Sequence, residues 1–217
     1  MNFNTIVVFD TETDGVDIEV CNMWEVAALA IDARTLEIIP NSELNLFMRP
    51  VGEVNESGLK FHARLRKRKP EDVLEEWMSY PHPDTVWPEF VQYLYKHHKQ
   101  QTRRSRFSAP IPAGTNIRKF DIPLVNRYHT KFGSGEVLFH VRDEIDLLDR
   151  FFAWFENSGE VEKYNMDYMR EYFGISSKNA HTGLQDVKDC ANIIIRFQKL
   201  YRKFSKQVQF KGAFKNA

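Results

Sequence analysis

A short apolar strand that ends in two carboxylates is the feature that most constrains the fold of this chain. Residues 5–10, TIVVFD, are apolar and rich in β-branched side chains, which predicts a buried β-strand. Asp10 and Glu12 stand two positions apart, and in an extended chain such residues point to the same side. Two carboxylates on one face at the end of a buried strand repel each other. The pair therefore requires a nearby group that neutralises its charge.

Strands come first in the sequence and then alternate with helices. Beyond residues 5–10, apolar runs predict strands at 24–32, 37–49, 109–114 and 137–141. Helical spacing of apolar residues predicts helices at 70–78, 84–97, 122–132, 146–155, 166–173 and 186–204, with 50–69 irregular. This order favours an α/β or α+β arrangement in which helices cover a central sheet. Because no repeat or linker divides the sequence, we expect one domain at 1–204 and a basic C-terminal tail at 205–217.

Composition excludes several classes of protein. Hydrophobic residues make up 42% and aromatic residues 13% of the chain, which is typical of a globular rather than a disordered protein. No apolar stretch is long enough to cross a membrane, and the first residues lack the pattern of a signal peptide. Cys21 and Cys190 stand in apolar sequence and are expected to be buried free thiols, so we expect a cytoplasmic protein.

The formal net charge is zero, but the basic residues are unevenly distributed. Three segments without a single acid, 60–69, 96–106 and 202–217, hold six, five and five Lys and Arg residues. Such segments fit solvated loops and a frayed end. They fit equally well a set of arms that contact phosphates around an acidic centre. Composition alone leaves both interpretations open.

Two later motifs place further acids near the starts of predicted helices. Asp121 comes just before a helix, and Asp186 stands in the first turn of the last helix, five positions after His181. Each acid alone is explained as a helix cap or a partner of the helix dipole. Four carboxylates brought together, however, require cations, and carboxylate oxygens suit Mg²⁺ or Mn²⁺. Two such ions about 4 Å apart form the clamp of phosphoryl-transfer enzymes, and a histidine is a suitable base for their water.

The ordered set of motifs resembles the DEDDh family of 3′–5′ exonucleases. FDTET at 9–13 matches the first motif of that family, NIRKFD at 116–121 the second, and HTGLQD at 181–186 the third. The resemblance spans about residues 5–200. It implies the ribonuclease H-like fold, an α/β structure with a central mixed β-sheet flanked by α-helices.

The resemblance also implies a role for each motif residue. Asp10, Glu12 and Asp186 are expected to hold the first of two Mg²⁺ or Mn²⁺ ions. Asp10 is expected to touch the second ion as well, and Asp121 to act on it largely through water. His181 is the expected general base.

Four residues are expected to bind or support the substrate. They are Thr13 and Asn116, which belong to the motifs, and Phe61 and His62, which are candidates for stacking on the end bases. Trp77 is expected in the core instead. Where many relatives have a second Thr, this chain has Asp14, and we expect it to add negative charge near the mouth of the site.

The implied activity is hydrolysis of phosphodiester bonds from the 3′ end of single-stranded or frayed DNA, with release of nucleoside monophosphates. A 3′–5′ exoribonuclease with the same chemistry is the main alternative. A catalytically silent nucleic-acid-binding module is disfavoured because all four acids and the histidine are present. A polymerase or a second copy of the chain are both possible protein partners, and no membrane partner is expected.

Overall fold

The computed structural model describes residues 4–100, 104–177 and 182–207. Within these ranges six strands form one sheet: β1 (Ile6–Thr13), β2 (Met23–Asp32), β3 (Glu37–Ile38), β4 (Leu44–Phe47), β5 (Ile111–Gly114) and β6 (Ile145–Asp146). The same ranges hold seven helices: α1 (Glu56–Leu65), α2 (Pro70–Ser79), α3 (Pro83–Lys96), α4 (Asp121–Phe132), α5 (Leu147–Phe155), α6 (Met166–Tyr172) and α7 (Gly183–Gln207).

The sheet is mixed. Its strand order is β3-β2-β1-β5-β6, and β4 also pairs with β2. Strand β1 is antiparallel to β2 and parallel to β5, and β5 is parallel to β6. This arrangement confirms the predicted α/β fold with a central mixed sheet flanked by helices.

Strand β1 lies between two apolar layers. The side chains of Ile6 and Val8 pack with α5, α6 and α7, whereas those of Val7 and Phe9 pack with α3 and α4. Because side chains alternate along a strand, Asp10 and Glu12 continue the side of Ile6 and Val8. The fold therefore directs both carboxylates toward the layer that contains α7.

A smaller apolar cluster joins α1 and α2 to the sheet. Trp24 of β2 stacks on Trp77 of α2 with ring centroids 5.1 Å apart, and Leu59 and Ala63 of α1 pack against the pair. Trp77 is fully buried, so its predicted place in the core is confirmed.

The expectation that 50–69 is irregular is wrong, because residues 56–65 form α1. The helix begins after Asn55, whose side chain accepts a hydrogen bond from the backbone N–H of Gly58. Only Leu59, His62 and Ala63 of this helix are buried, so the apolar signal in the sequence is weak. The cap and the packing on Trp24 form the helix despite a basic, polar sequence.

The prediction of a strand at 137–141 is also wrong. The last strand of the sheet is β6, at Ile145–Asp146. The two central apolar residues of the earlier segment pack in the core instead: Leu138 is buried, and Phe139 stacks on Phe9 with ring centroids 5.0 Å apart. The β-branched residues at its ends, Val137 and Val141, are exposed, although they are the residues that suggest a strand.

Three further expectations concern the cysteines, the membrane and the tail. Cys21 and Cys190 are buried free thiols, as predicted. In the part of the chain that the structure describes, no helix has the length and apolar character needed to span a membrane. Helix α7 runs to Gln207, so residues 205–207 of the predicted tail are helical, and 208–217 lie outside the described residues.

Candidate active site

Strand β1 and helix α7 bring three of the predicted carboxylates together. Asp10 and Glu12 lie near the end of β1, and Asp186 lies in the first turn of α7. One carboxylate oxygen from each of the three residues lies within 4.8 Å of the others. We call these three side chains the carboxylate cluster.

The pKa values in the carboxylate cluster reflect burial and mutual repulsion. Burial raises the pKa of Asp10 well above its ordinary value, and the charges of Asp121, Glu12 and Asp186 raise it further. Burial and then the charge of Glu25 raise the pKa of Glu12 to about 8. The pKa values of Asp10 and Glu12 stay raised although Arg170 pairs with Asp186 and the charge of Arg66 lowers the pKa of Glu12, so the cluster favours a bound proton or a bound cation.

Asp121 lies next to the cluster and is bonded to β1. Its Oδ1 accepts hydrogen bonds from the backbone N–H of Thr11 at 3.0 Å and from the Thr11 hydroxyl at 2.6 Å. Burial raises the pKa of Asp121 to about 6, although the bonds from Thr11 lower it. The N-cap of α4 is Phe120, so Asp121 is the first helical residue and not the cap.

The predicted general base, His181, lies outside the described residues, just before Thr182. The carbonyl oxygen of Thr182 accepts a hydrogen bond from the backbone N–H of Asp186 at 2.9 Å. The role of His181 stays a prediction.

Sequence reasoning missed a further carboxylate at the site. Glu25 of β2 is paired with Glu12 of β1 and is only 4% exposed. Burial raises its pKa to about 7, against a hydrogen bond from the Asn45 side chain and the positive charge of Arg66. An acid inside the apolar run WEVAALA was a signal, but only the register between β1 and β2 shows which residue it faces.

Sequence reasoning also missed a buried cation. Arg170 of α6 is 1% exposed and donates hydrogen bonds to Asp186 and Asp189 of α7, each at 2.7 Å. Nothing in the pattern around Arg170 distinguishes it from a surface residue of an amphipathic helix. Its partners are determined by the packing of α6 on α7.

An apolar cleft of about 580 Å³ opens beside the cluster. Glu12 and Thr13 of β1 form one part of its wall, and Phe61 of α1 and Phe120 form another. Phe61 is 50% exposed. The cleft therefore presents an accessible aromatic ring close to the carboxylates.

His62 lines the same cleft but is mostly buried, with 7% of its surface exposed. Its Nε2 lies 2.8 Å from the carbonyl oxygen of Thr13, and its ring meets Trp24 and Trp77 edge to face. Burial lowers the pKa of His62, so the ring is neutral near pH 7. These contacts show how α1 holds the end of β1.

Asn116 does not line the cleft. It occupies the turn before α4 with a positive φ of 60°, and its backbone N–H donates to Asp146 at 3.0 Å. Its role at the substrate stays a prediction.

The expectation that Asp14 adds negative charge near the mouth of the site is wrong. Asp14 is fully buried and accepts hydrogen bonds from the backbone and side chain of Asn22 at 2.7 and 2.8 Å. It also accepts from the backbone N–H of Asn55 at 3.0 Å. Asp14 therefore joins the end of β1 to the start of α1 and does not face the solvent.

A family model described as "Exonuclease" matches residues 7–194. No curated protein sequence matches the chain at a significant level. Among solved structures, E. coli exonuclease I in complex with a dT13 oligonucleotide is similar, with a TM-score of 0.69 and 15% sequence identity. The match covers 94% of this chain and 43% of exonuclease I, so this chain spans less than half of that protein.

A second similar structure is that of cell-death related nuclease 4 (CRN-4), with a TM-score of 0.65 and 16% identity. That match covers 92% of this chain and 65% of CRN-4. At these identities the structural matches show the shared fold. The family model covers most of the sequence, including all three residues of the carboxylate cluster. This chain therefore belongs to the exonuclease family, in which its motifs place it with the DEDD-type 3′–5′ exonucleases.

Proposed function

We propose that this protein is a metal-dependent 3′–5′ exonuclease that shortens single-stranded or frayed DNA from its 3′ end and releases nucleoside monophosphates. The observation that carries the proposal is the convergence of Asp10, Glu12 and Asp186 within 4.8 Å beside an apolar cleft. Carboxylates so close together are stable in their charged form only with a cation.

The donor set fits Mg²⁺ or Mn²⁺. All the converging ligand atoms are carboxylate oxygens, which these hard cations prefer over nitrogen or sulfur. Asp10, Glu12 and Asp186 would hold one ion, and Asp10 and Asp121 would serve a second. When bound, a pair of such ions supplies an activated water and stabilises the leaving oxygen. His181 would accept the proton of the attacking water.

The cleft supports a role in binding the terminal nucleotide. Phe61 and Phe120 offer aromatic surface, and bases stack on such rings regardless of sequence. A base can enter only after it has left its partner strand. This requirement favours single-stranded or frayed ends.

Part of the basic segment 60–69 supports contact with the phosphate backbone. Lys60 is paired with Glu56, and Glu76 is paired with both Arg66 and Arg68. Arg64 has no carboxylate partner among the described residues and lies one turn from Phe61, with its guanidinium 5.9 Å from that ring. Arg64 is therefore available to a phosphate next to the cleft.

The choice of DNA rests on similarity. The structure of exonuclease I holds a dT13 oligonucleotide, and that statement concerns exonuclease I. The carboxylate chemistry itself does not select DNA over RNA, so the test includes both.

The test uses matched DNA and RNA oligonucleotides labelled at the 5′ end, with Mg²⁺, Mn²⁺ or EDTA, and Asp10→Asn as the isosteric control. We expect a ladder that shortens from the 3′ end, faster on DNA, and absent with EDTA or in the variant. Degradation that persists in EDTA or in Asp10→Asn would contradict the metal-dependent site. Faster shortening of RNA than of DNA would mean that RNA is the preferred substrate, with the same metal-dependent hydrolysis.

A further inference from the structure

Arg170 is one of the largest fully buried side chains in the described part of the chain, and it contacts the carboxylate cluster directly. A guanidinium does not lose its charge in a protein, so its burial is tolerated only when its N–H groups are paired. Its Nε donates to Asp189 and its Nη2 to Asp186, both at 2.7 Å, and its Nη1 donates to Asp167 at 3.0 Å.

The three partners of Arg170 differ in their surroundings. Asp167 is 66% exposed, and an ion pair with such an exposed group contributes little. Asp189 is 5% exposed at its side chain and also accepts a hydrogen bond from Gln185 at 2.7 Å, so it is the buried counter-ion. Asp186 is 21% exposed and belongs to the carboxylate cluster. Arg170 thus links a buried counter-ion to an expected metal ligand.

We propose that Arg170 is a positioning residue for the metal centre: its guanidinium holds the Asp186 carboxylate in the orientation in which Asp186 converges with Asp10 and Glu12. The inference rests on the proposed metal-dependent function. It assigns to α6, which carries none of the family's motif residues, a direct influence on the affinity of the cluster for cations.

Without a restraint, the repulsion of two neighbouring carboxylates would turn Asp186 away from the cluster. The bonds to Asp189 and Asp167 fix the plane of the guanidinium, so the N–H that Arg170 donates to Asp186 has a defined direction, which a flexible ammonium would not provide. Residues that orient metal ligands through hydrogen bonds typically change metal affinity by about 10–100-fold when they are replaced.

The charge of Arg170 has the opposite effect, because a cation next to a metal site weakens the binding of another cation. Asp189 balances that charge within the same buried pair. Removal of Arg170 and Asp189 together keeps the net charge but still takes the nearest positive charge away from Asp186, which by itself would tighten the binding of a cation. A weaker affinity for a cation in such a variant therefore reports the loss of orientation.

The test measures Mn²⁺ binding to the intact chain without nucleic acid, by the electron paramagnetic resonance signal of free Mn²⁺. The double variant R170M/D189L removes one charge of each sign, and apolar replacement of a buried ion pair is often tolerated. We expect its Kd for Mn²⁺ to rise about tenfold or more. R170K keeps the charge but not the planar fork, so we expect a smaller rise.

The matched control is Arg196→Met. Arg196 of α7 donates to the carbonyl oxygen of Phe173 at 2.7 Å, so it also joins α7 to the end of α6, but it does not contact the cluster. We expect an unchanged Kd. If the double variant does not fold, R170K decides alone.

The outcomes separate the two proposals. If the Arg170 variants bind Mn²⁺ with wild-type affinity, the positioning role is overturned. A lower melting temperature with unchanged affinity would mean that Arg170 only stabilises the fold. No Mn²⁺ binding by the wild-type chain overturns the metal-dependent function and the positioning role together.

Discussion

At the scale of single residues, the site consists of carboxylates that the fold neutralises only in part: Arg170 pairs with Asp186, whereas the pKa values of Asp10 and Glu12 stay raised. Burial raises the pKa of Glu25 to about 7, and burial with the charge of Glu25 raises that of Glu12 to about 8. A carboxyl group in an unfolded chain has a pKa of about 4. Near neutral pH the folded, metal-free protein therefore holds protons that the unfolded chain releases.

The stability of the metal-free protein should decrease as pH rises from about 5 to about 8. The folded-state pKa values are raised, so the unfolded chain binds fewer protons in this window, and the free energy of unfolding falls with pH. Each unit of elevation corresponds to about 1.4 kcal/mol once the pH exceeds the raised value. Thermal unfolding in EDTA at several pH values measures the effect.

The variant Glu12→Gln is the control for this pH dependence. It should show a flatter curve than the wild type, and Mn²⁺ should raise the melting temperature of the wild type most at the highest pH. Equal pH dependence in both proteins would show that Glu12 does not titrate in this way.

Phe61→Ala should raise the KM for single-stranded DNA about tenfold and leave kcat nearly unchanged, because base stacking on an aromatic ring contributes about 1–3 kcal/mol. Phe61 is 50% exposed, so little loss of stability is expected. The control is Phe107→Ala, which removes a ring of 56% exposure near the start of β5. Equal effects of the two variants on KM would contradict a role of Phe61 in substrate binding.

The motif acids could be named from the sequence, because their spacing along the chain does not depend on how the helices and strands pack. Glu25 and Arg170 were not, because one depends on the register of β1 and β2 and the other on how α6 packs on α7. Asp14 was misplaced for a related reason. Its three hydrogen bonds come from Asn22 and Asn55, and the latter is 41 residues away.

At the scale of elements, α1 sets the position of the cleft relative to β1. A Cβ at Gly58 would lie 1.7 Å from the carbonyl oxygen of Asp14, so the helix approaches the end of β1 as closely as a glycine permits. His62, one turn further along, contacts the carbonyl oxygen of Thr13. Both contacts depend on a helix that the sequence did not reveal.

Gly58→Ala should destabilise the protein, although alanine favours helices by about 1 kcal/mol over glycine. The added Cβ must push α1 away from β1, and such overpacking costs about 1–3 kcal/mol. We also expect a higher KM, because Phe61 moves with the helix. Chemical denaturation measures the stability, with Gly52→Ala as control, where the nearest atom lies 3.5 Å from the new Cβ. A stabilised Gly58→Ala protein would contradict the close approach.

The helices with a strong apolar stripe were predicted at nearly their observed positions, as α3 and α7 show. The errors fall where apolar residues serve another purpose or are scarce. Leu138 and Phe139 pack in the core beside Phe9, and α1 buries few side chains.

At the scale of the whole molecule, the carboxylate cluster and the basic segment around 104–106 lie at opposite ends of the sheet. Strands β1 and β5 are parallel, and Ile111 pairs with Ile6 at the start of β1, whereas the cluster lies at its end. Asn4, just before β1, donates to the carbonyl oxygens of Phe107 and Ala109. Among the described residues of the basic segments 60–69 and 96–106, those that border the cleft belong to 60–69.

Arg64→Gln should therefore weaken the binding of single-stranded DNA and reduce the salt dependence of binding by about one ion. Arg106→Gln, at the other end of the sheet, should leave both quantities unchanged. Titrations of a labelled oligonucleotide at several salt concentrations, in EDTA, measure both variants. A larger effect of Arg106→Gln would mean that the strand follows a different path across the protein.

The most direct test of the account is a crystal structure of the protein grown with Mn²⁺ and measured at a wavelength where manganese scatters anomalously. We predict an anomalous peak bonded to carboxylate oxygens of Asp10, Glu12 and Asp186, with Arg170 still donating to Asp186. A structure at saturating Mn²⁺ that shows no peak among these three residues, or that shows Asp186 turned away from Asp10 and Glu12, would contradict it.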